Sequence, residues 1–326
     1  MDLSFLNQIG VQYTPQARLA EHTTFRVGGP CLALVECRNA KELTLTVLTL
    51  RQHNLPFLLM GFGSNILASD QGIHRIIVRH TTTTPNISMR ACAEPNLYLV
   101  TADSATQLDD VVAYTINNGL EGLLPFSGIP GTLGGAIAGN AGAYGQQLAD
   151  TLESLTILRP DNSVVTVPKS AIHFEYRDSD LKHNGDIVLS ATIKLPRNGN
   201  IEQMKNNRAA NLAMRVGKHG RWQDTPCAGS FFRNVEPTSK AGPRQSAGWF
   251  LEQAGCKDMN LNGAHSYHNH ANIITRDVGA KAQDVYDLTC AMACAVKAKF
   301  GLELVREVRL LGPFENAPAC DPQGYW

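Results

Sequence analysis

Short runs in which apolar residues alternate with polar ones, or follow one another, predict the strands of this chain. The predicted strands are Cys31–Cys37, Phe57–Met60, Arg75–Arg79, Leu97–Ala102, Glu153–Arg159, Ser163–Val167, Ile187–Leu195 and Leu302–Leu311. Phe57–Met60 is wholly apolar, which is typical of a buried strand. Leu302–Leu311 alternates, so Val305 and Glu307 are expected on one face of an extended strand.

Apolar residues at helical spacing, bounded by capping residues, predict the helices. Asn39 is expected to cap a helix that reaches about His53. Ser104 and Gln107 have the spacing of a capping box, before a helix that Gly119 ends. The other helices are predicted over Ile201–Arg215, Ala247–Ala254 and Lys281–Phe300, with a basic loop at Lys218–Arg221.

The order of these elements indicates the fold class. Strands and helices are mixed without strict β-α-β-α alternation, which predicts an α+β chain and disfavours a doubly wound parallel sheet. The 326 residues exceed one typical core, so two or three domains are expected. Residues 197–200 are expected as a polar hinge, and the proline-containing residues beyond Gly312 as a loosely ordered tail.

The stretch Ser127–Gly145 contains seven glycines. So many glycines favour a close approach to the main chain that side chains would block. A diphosphate is one such partner, because bare N–H groups in a glycine-rich turn form an anion-binding nest; tight packing against protein backbone is the alternative. The stretch has neither the lysine of a P-loop nor the spacing of a Rossmann fingerprint. Gly61–Asn65 is a second candidate cradle, or a simple turn.

The charge balance gives no sign of an electrostatic partner. Lysine plus arginine and aspartate plus glutamate both number 29, so neither nucleic acid nor a membrane surface is expected as a partner. No apolar run approaches the ~18 residues of a membrane span, and the first residues show no secretory signal. The eight cysteines are scattered without a C-x-x-C pair, which favours a reducing cytoplasm.

Eight segments, taken in order, form a specific combination. They are TTFRVGGP (Thr23–Pro30), GFGSN (Gly61–Asn65), SGIPGTLGGAIAGNAGAYG (Ser127–Gly145), EYRDS (Glu175–Ser179), AGSFFRN (Ala228–Asn234), AGWFLEQAG (Ala247–Gly255), HANIIT (His270–Thr275) and EVRLLG (Glu307–Gly312). Together they resemble the UDP-N-acetylenolpyruvoylglucosamine reductase family, flavoenzymes of bacterial cell-wall precursor synthesis. The resemblance extends over nearly the whole chain.

The resemblance implies an α+β fold of the vanillyl-alcohol-oxidase type, with two FAD-binding subdomains and a separate α+β substrate-binding domain. Residues 1–78 would form the first FAD-binding subdomain and 79–200 the second, with a return strand at 302–312. Residues 201–301 would form the substrate-binding domain, and 313–326 the C-terminal tail. A monomer in the cytoplasm is expected.

The resemblance also implies non-covalent FAD, with NADPH as co-substrate. Main-chain N–H groups in the two glycine-containing loops would hold the FAD diphosphate. The implied cofactor-binding residues are Gly61, Gly63, Ser64, Asn65, Ile129, Gly131, Thr132, Gly134, Gly135 and Asn140.

The implied reaction passes a hydride from NADPH through the flavin to the enolpyruvyl double bond of a UDP-sugar, which yields UDP-N-acetylmuramate. Arg177, Ser230 and Glu307 match the family's catalytic positions. Arg177 suits the negative charge that develops on the substrate carboxylate. Ser230 would donate a proton, and Glu307 would position the carboxylate or support the acid. Without the resemblance they would be a surface arginine, a turn serine and a carboxylate on a solvated face.

Further polar residues are implied as substrate contacts. They are Arg233, Asn234 and His270. His265, His268 and His270 are close in sequence, but no carboxylate or cysteine spacing completes a tetrahedral set, so no metal is expected.

Some positions depart from the family pattern. Phe62 replaces a glycine usual in its loop, and Lys218–Thr225 lacks a common Gln-Pro pair. The interval between Arg177 and Ile201 is too short for the tyrosine-bearing lid of one branch, so the branch with an open substrate pocket is expected. The rival functions are a flavin oxidase of the same fold, acting on an alcohol or hydroxy acid, and a non-catalytic nucleotide-binding module.

Overall fold

A computed structural model describes residues 3–197, 200–235 and 246–317. Its helices are α1 (Phe5–Gln8), α2 (Ala40–Gln52), α3 (Leu108–Asn117), α4 (Leu133–Ala138), α5 (Ile201–His219), α6 (Ala247–Gln253) and α7 (Ala282–Phe300). Its strands are β1 (Tyr13–Pro15), β2 (Cys31–Cys37), β3 (Phe57–Met60), β4 (Ile66–Ala68), β5 (Ile73–His80), β6 (Ile87–Ala91), β7 (Leu97–Asp103), β8 (Gly142–Ala143), β9 (Gln146–Gln147), β10 (Leu152–Leu158), β11 (Val164–Pro168), β12 (Phe174–Glu175), β13 (Asp178–Ser179), β14 (Ile187–Pro196), β15 (Asn260–Leu261), β16 (Ala264–Tyr267), β17 (His270–Arg276) and β18 (Arg309–Leu311).

The described residues form two compact units, each built from separate pieces of the chain. The first unit takes residues up to 15, 33–62 and 75–214, and the second takes 16–32, 63–74 and those from 215 onward. The predicted boundaries at 78, 200 and 301 remain a prediction. Within the described ranges, no helix is both long enough and apolar enough to cross a membrane.

The first unit contains a five-stranded antiparallel sheet in the order β11-β10-β14-β7-β6. Along β14 the side chains of Ala191, Ile193 and Leu195 are buried and those between them are not, as in a sheet with one covered face. The buried side chains pack with Val111 of α3 and Leu133 of α4 in one hydrophobic core. A second sheet has the order β1-β2-β5-β3, with β3 and β5 parallel.

Helix α2 shows how local sequence determines an element. Asn39 caps it, because its side chain accepts a hydrogen bond from the Glu42 N–H group at 2.9 Å. Leu43, Val47 and Leu50 are fully buried along one face. The predicted helix is therefore confirmed, including its cap.

The second unit contains the antiparallel sheet β15-β16-β17, the helices α6 and α7, and the parallel pair β4 and β18. Its core is assembled from distant parts of the chain. Phe25 and Leu67 pack in the same cluster as Phe231, Phe250 and Met292, and all five are fully buried.

The predicted capping box at Ser104 is wrong. Gln107 occupies the N-cap of α3 and makes no side-chain capping bond. The Ser104 hydroxyl instead lies 3.0 Å from Nε2 of the buried His80. A tertiary contact therefore takes the group that the sequence spacing assigned to the helix.

The predicted strand Leu302–Leu311 is also largely wrong, because only Arg309–Leu311 pairs regularly, with β4. Before it, Arg306 forms an isolated bridge to Phe232. Residues 302–308 pair only with the irregular segment around Phe232, so no long β-ladder forms.

Smaller differences concern the ends and exposure of elements. The basic loop predicted at Lys218–Arg221 is wrong for its first two residues, which belong to the last turn of α5. β3 is not buried as predicted, since Leu59 is 43% exposed. Part of the predicted hinge, 198–199, and the tail beyond residue 317 lie outside the described residues.

Candidate active site

The glycine-rich stretch forms a turn that leads into the short helix α4. Main-chain hydrogen bonds fix the turn to the residues that follow β7. Leu108 donates its N–H to the Gly131 carbonyl oxygen at 2.9 Å, and Leu133 donates to that of Thr106 at 2.8 Å. Thr132 caps α4 through its hydroxyl. The first unit therefore holds this turn in a fixed conformation.

Some N–H groups of this stretch are already bonded within the protein. Gly134 donates to the Ser104 carbonyl oxygen at 3.0 Å, and Gly135 donates to the Thr132 hydroxyl at 3.3 Å. The predicted role of Gly134 and Gly135 in binding the cofactor remains a prediction, and in this structure both N–H groups have acceptors within the protein. Within the described residues, the N–H groups of Gly131 and Thr132 donate to no protein acceptor. They remain the candidate donors of this turn.

The end of β3 lies against the start of α4. A Cβ atom on Gly61 would stand 2.5 Å from the Thr132 hydroxyl oxygen, a distance that real side chains do not reach. The two predicted cradles therefore meet at Gly61 inside the first unit. A side-chain-poor backbone with N–H groups to spare fits a pair of linked phosphates. Ile129 offers no N–H, because it donates to the Phe126 carbonyl oxygen at 3.1 Å.

Asn140 is buried and acts as a bracket between segments. Its Nδ2 donates to Gln147 Oε1 at 2.7 Å and to the Glu175 carbonyl oxygen at 2.8 Å, and its Oδ1 accepts from the Ala149 N–H at 3.2 Å. Its own N–H donates to the Ile137 carbonyl oxygen. The predicted cofactor contact of Asn140 remains a prediction, and in this structure its polar groups are hydrogen-bonded within the protein.

Arg177 lies at the turn of the hairpin formed by β12 and β13, with φ at +58°. Left-handed backbone in a residue with a side chain costs about 1–3 kcal/mol and is found at functional sites. Arg177 Nη2 donates to the Gly142 carbonyl oxygen at 2.8 Å. The Ser179 hydroxyl donates to the Ala138 carbonyl oxygen at 2.7 Å, and Lys182 Nζ donates to that of Arg177 at 2.6 Å. The hairpin is thus fastened to the end of the glycine-rich stretch.

Ser230 and Glu307 belong to segments that are hydrogen-bonded to each other in the second unit. Ser230 is half-buried and forms a strand-like bridge with Ile273. The Glu307 N–H donates to the carbonyl oxygen of Phe231 at 2.8 Å, and Asn65 Nδ2 donates to the Glu307 carbonyl oxygen at 3.1 Å. The structure therefore brings the predicted cofactor residue Asn65 to the backbone of the predicted catalytic residue Glu307, which in turn bonds to the residue that follows Ser230.

The loop Gly63–Asn65 is held by the TTFRVGGP motif. The Thr24 N–H donates to the Gly63 carbonyl oxygen at 3.2 Å, and the Thr24 hydroxyl donates to that of Cys227 at 2.7 Å. Arg309 donates its N–H to the Asn65 carbonyl oxygen at 3.0 Å. One buried threonine therefore connects this loop with the segment that leads to Ser230.

His270 is largely committed to the protein. Its Nδ1 accepts from the Asn272 N–H at 3.1 Å, which leaves the proton of the neutral ring on Nε2. Burial, with a smaller effect of Lys218, lowers the pKa of His270. Burial, with a smaller effect of His270, lowers the pKa of His219 to about 4, and the two rings meet edge to face at 5.5 Å. The site therefore holds two neutral imidazoles at neutral pH.

The other implied substrate residues have fixed backbones. Arg233 donates its N–H to the Val305 carbonyl oxygen at 2.8 Å. The Asn234 Oδ1 accepts from the Ala247 N–H at 3.2 Å, at the start of α6. The His265 Nδ1 lies 3.0 Å from the Ser266 carbonyl oxygen. The described part of the chain contains no group of three histidine, cysteine or carboxylate side chains arranged to hold a metal ion.

Comparisons with known proteins identify the family to which the chain belongs. Residues 31–168 match the FAD binding domain family, and residues 221–311 match the UDP-N-acetylenolpyruvoylglucosamine reductase C-terminal domain. The chain is 33% identical over 310 residues to the UDP-N-acetylenolpyruvoylglucosamine reductase of Acaryochloris marina, which covers 95% of this chain and 96% of that protein. The chain belongs to the UDP-N-acetylenolpyruvoylglucosamine reductase family.

Two further members of this reductase family support the assignment. The reductase of Caldanaerobacter subterraneus is 34% identical over 294 residues, which is 90% of this chain and 92% of that protein. The crystal structure of the reductase from Thermus caldophilus matches with a TM-score of 0.72 at 27% identity, covering 93% of this chain and 99% of that chain. The predicted α+β fold with a vanillyl-alcohol-oxidase-type FAD-binding part is confirmed.

Members of this reductase family are FAD-containing oxidoreductases of peptidoglycan precursor synthesis, and so is this protein. The FAD-binding roles predicted for the residues of the two glycine-containing loops remain a prediction. The side-chain hydrogen bonds of Asn140 to Gln147 and Glu175, and those of the buried Asn272 to the Phe232 backbone, were not predicted from the sequence. The one sequence feature that could have indicated the role of Asn272 is its amide side chain within the largely apolar segment HANIIT.

Proposed function

We propose that this protein reduces the enolpyruvyl group of UDP-N-acetylglucosamine enolpyruvate to give UDP-N-acetylmuramate, with NADPH as the source of electrons. The observation that carries the proposal is the hydrogen-bonded series from Asn65 to Glu307 to Phe231, at 3.1 and 2.8 Å. This series joins the loop proposed to hold FAD to Glu307 and to the residue that follows Ser230.

Bound FAD would supply hydride transfer from NADPH to the methylene carbon of the substrate. Negative charge then develops on the substrate carboxylate, and a fixed cation stabilises such charge most when it needs no reorganisation. Arg177 is proposed to supply that cation. Its bond to the Gly142 carbonyl oxygen and its fastened hairpin hold the guanidinium in place.

Ser230 is proposed to deliver the proton to the carbon next to the carboxylate. A serine hydroxyl is a weak acid, so it must be held at the right distance beside groups that support proton transfer. The bridge to Ile273 fixes its backbone, and Glu307 on the adjacent segment is proposed to support the transfer. Arg233, Asn234 and the Nε2 side of His270 are proposed to contact the substrate.

We propose that the protein acts as a monomer in the cytoplasm, without nucleic acid or a membrane surface as a partner. The cysteines of the described residues are all free thiols, which suits a reducing compartment. Light scattering of the purified protein tests the monomer.

The absorption spectrum of the purified protein, followed by a steady-state assay, tests the function. We expect a flavin spectrum, and NADPH oxidation that depends on the enolpyruvyl sugar nucleotide. Oxygen consumption with an alcohol or hydroxy acid and no need for NADPH would instead favour an oxidase. Ser230→Ala should leave flavin reduction by NADPH intact and abolish flavin reoxidation by the enolpyruvyl substrate; loss of both steps contradicts the role of Ser230.

A further inference from the structure

The segment Ser230–Phe232 is paired on both sides. On one side Ser230 bridges Ile273 of β17. On the other side Phe232 bridges Arg306, and the Phe231 carbonyl oxygen accepts from the Glu307 N–H at 2.8 Å. The segment therefore runs between β17 and the residues that carry Glu307, so a shift against β17 moves Ser230 relative to Glu307.

Asn272 of β17 makes three hydrogen bonds to this segment. Its Oδ1 accepts from the Phe232 N–H at 2.9 Å, and its Nδ2 donates to the Phe232 carbonyl oxygen at 2.8 Å. Its own carbonyl oxygen accepts from the Phe231 N–H at 2.8 Å. The side chain is 2% exposed. A side-chain amide thus takes the place of a peptide group and holds both polar atoms of the Phe232 backbone.

We propose that Asn272 is a positioning residue for the reaction, whose amide fixes the Ser230–Phe232 backbone and thereby the place of Ser230 relative to Glu307. The inference rests on the proposed function. Only an amide offers a donor and an acceptor in this geometry at every pH, because an ionised carboxylate accepts but does not donate. A protonated carboxyl does both.

Hydrophobic packing holds the segment independently of this amide. Phe231 and Phe232 are 0% and 2% exposed, and their rings meet edge to face at 5.3 Å. Loss of the amide therefore leaves the two rings anchored in the core but removes the bonds that set the backbone position. We expect a folded enzyme whose Ser230 is misplaced.

Rapid-mixing kinetics of the FAD-loaded enzyme test the proposal. In Asn272→Leu, flavin reoxidation by the enolpyruvyl substrate should slow by about 100-fold, a loss that a misplacement near 1 Å can cause, while flavin reduction by NADPH keeps its rate. The control is Ser266→Ala, which removes another buried side chain of the same sheet that bonds the Cys256 and Ala271 carbonyl oxygens. Both half-reactions should survive in that variant.

The variant Asn272→Asp adds a pH signature. Reoxidation should be slow when the introduced carboxyl is ionised and recover as the pH falls, because the protonated group again donates to the Phe232 carbonyl oxygen. His270, which accepts from the Asn272 N–H, and His219 beside it also titrate. The readout is therefore the ratio of variant to wild-type rates at each pH, from which their shared titration cancels.

The outcomes separate this inference from the proposed function. If wild-type enzyme does not turn over the enolpyruvyl substrate, the proposed function fails and the role of Asn272 falls with it. If wild type is active, a reoxidation rate in Asn272→Leu equal to wild type, or equal losses in both half-reactions, overturns the role of Asn272 alone. If Asn272→Leu does not fold, a flat pH ratio for Asn272→Asp overturns it.

Discussion

The Arg177 guanidinium lies against the main chain of Gly142. Nη2 of the arginine lies 2.8 Å from the glycine carbonyl oxygen, and a Cβ atom on Gly142 would stand 2.6 Å from Nη1. The glycine thus leaves room for the guanidinium, and its carbonyl oxygen fixes the orientation of that group. The sequence argument for close approach holds here, but the group that approaches is an arginine of the same protein.

Gly142→Ala should therefore displace the Arg177 guanidinium while leaving the flavin in place. We expect flavin reoxidation by the enolpyruvyl substrate to slow by about 100-fold, since displacement of a charge-stabilising group near 1 Å has that effect. The absorption spectrum of the bound flavin should not change. Gly217→Ala is the control, because no atom lies within 4 Å of a Cβ at that helical position. Wild-type reoxidation in Gly142→Ala would contradict the role of Arg177.

Gly61→Ala should weaken FAD binding. The new methyl group would stand 2.5 Å from the Thr132 hydroxyl oxygen and push the turn of α4 away from β3. We expect the dissociation constant for FAD to rise by about 10-fold, which is ~1.4 kcal/mol. Flavin fluorescence on titration of the apoprotein measures it.

The double variant with Thr132→Ala provides the check on this contact. If the clash is the cause, removing the hydroxyl should restore part of the affinity lost in Gly61→Ala, with a coupling of about 1 kcal/mol in the cycle. Purely additive losses would show that the two residues do not meet in solution.

Stability should decline in mildly acidic solution because of His219. Burial lowers its pKa from 6.5 to about 4 in the folded protein. Between pH 6.5 and 4 the unfolded chain binds a proton at His219 that the folded chain does not. The contribution of neutral His219 to the free energy of unfolding is therefore full above pH 6.5 and is lost as the pH falls to 4. At ~1.4 kcal/mol per pKa unit, the loss is at most about 3.5 kcal/mol.

Urea denaturation between pH 4 and 7 measures this effect. His219→Gln should show a smaller fall in the free energy of unfolding over that range than wild type. His74→Gln, at an exposed position on β5, should follow wild type. Identical curves for His219→Gln and wild type would show that His219 takes up a proton normally in the folded state.

Asn140→Asp should destabilise the first unit. An ionised carboxylate loses both donated bonds, to Gln147 and to the Glu175 carbonyl oxygen, and places a buried charge beside two oxygens. We expect the free energy of unfolding in urea to fall by about 3 kcal/mol. The same change at the exposed Asn54 should have little effect. Equal stability of both variants would contradict the bracketing role.

Elements whose signals are local could be predicted from the sequence. The Asn39 cap and the helix that it begins depend on residues a few positions apart. The glycine-rich stretch and the motif positions were found because their residue types are unusual. Local physical chemistry is sufficient for such features.

The features that could not be predicted depend on partners far away in sequence. The Ser104 hydroxyl is taken by His80, Asn140 bonds to Glu175, and Asn272 bonds to Phe232. Each of these polar side chains has several possible local roles, and tertiary structure decides between them. The sequence pattern provides candidate site residues, but it does not reveal the polar contacts that hold their segments in place.

The assembly of the second unit from three stretches limits how this protein could be dissected. The matched C-terminal region, 221–311, contributes most of one core, yet Phe25 and Leu67 of that core come from residues far upstream. A fragment that starts at residue 215 would lack both of these core side chains. The loss of each would lower its free energy of unfolding by roughly 2–5 kcal/mol. Such a fragment should not fold alone. A truncated protein or a chimera with a relative must therefore keep residues 16–32 and 63–74 together with the C-terminal part.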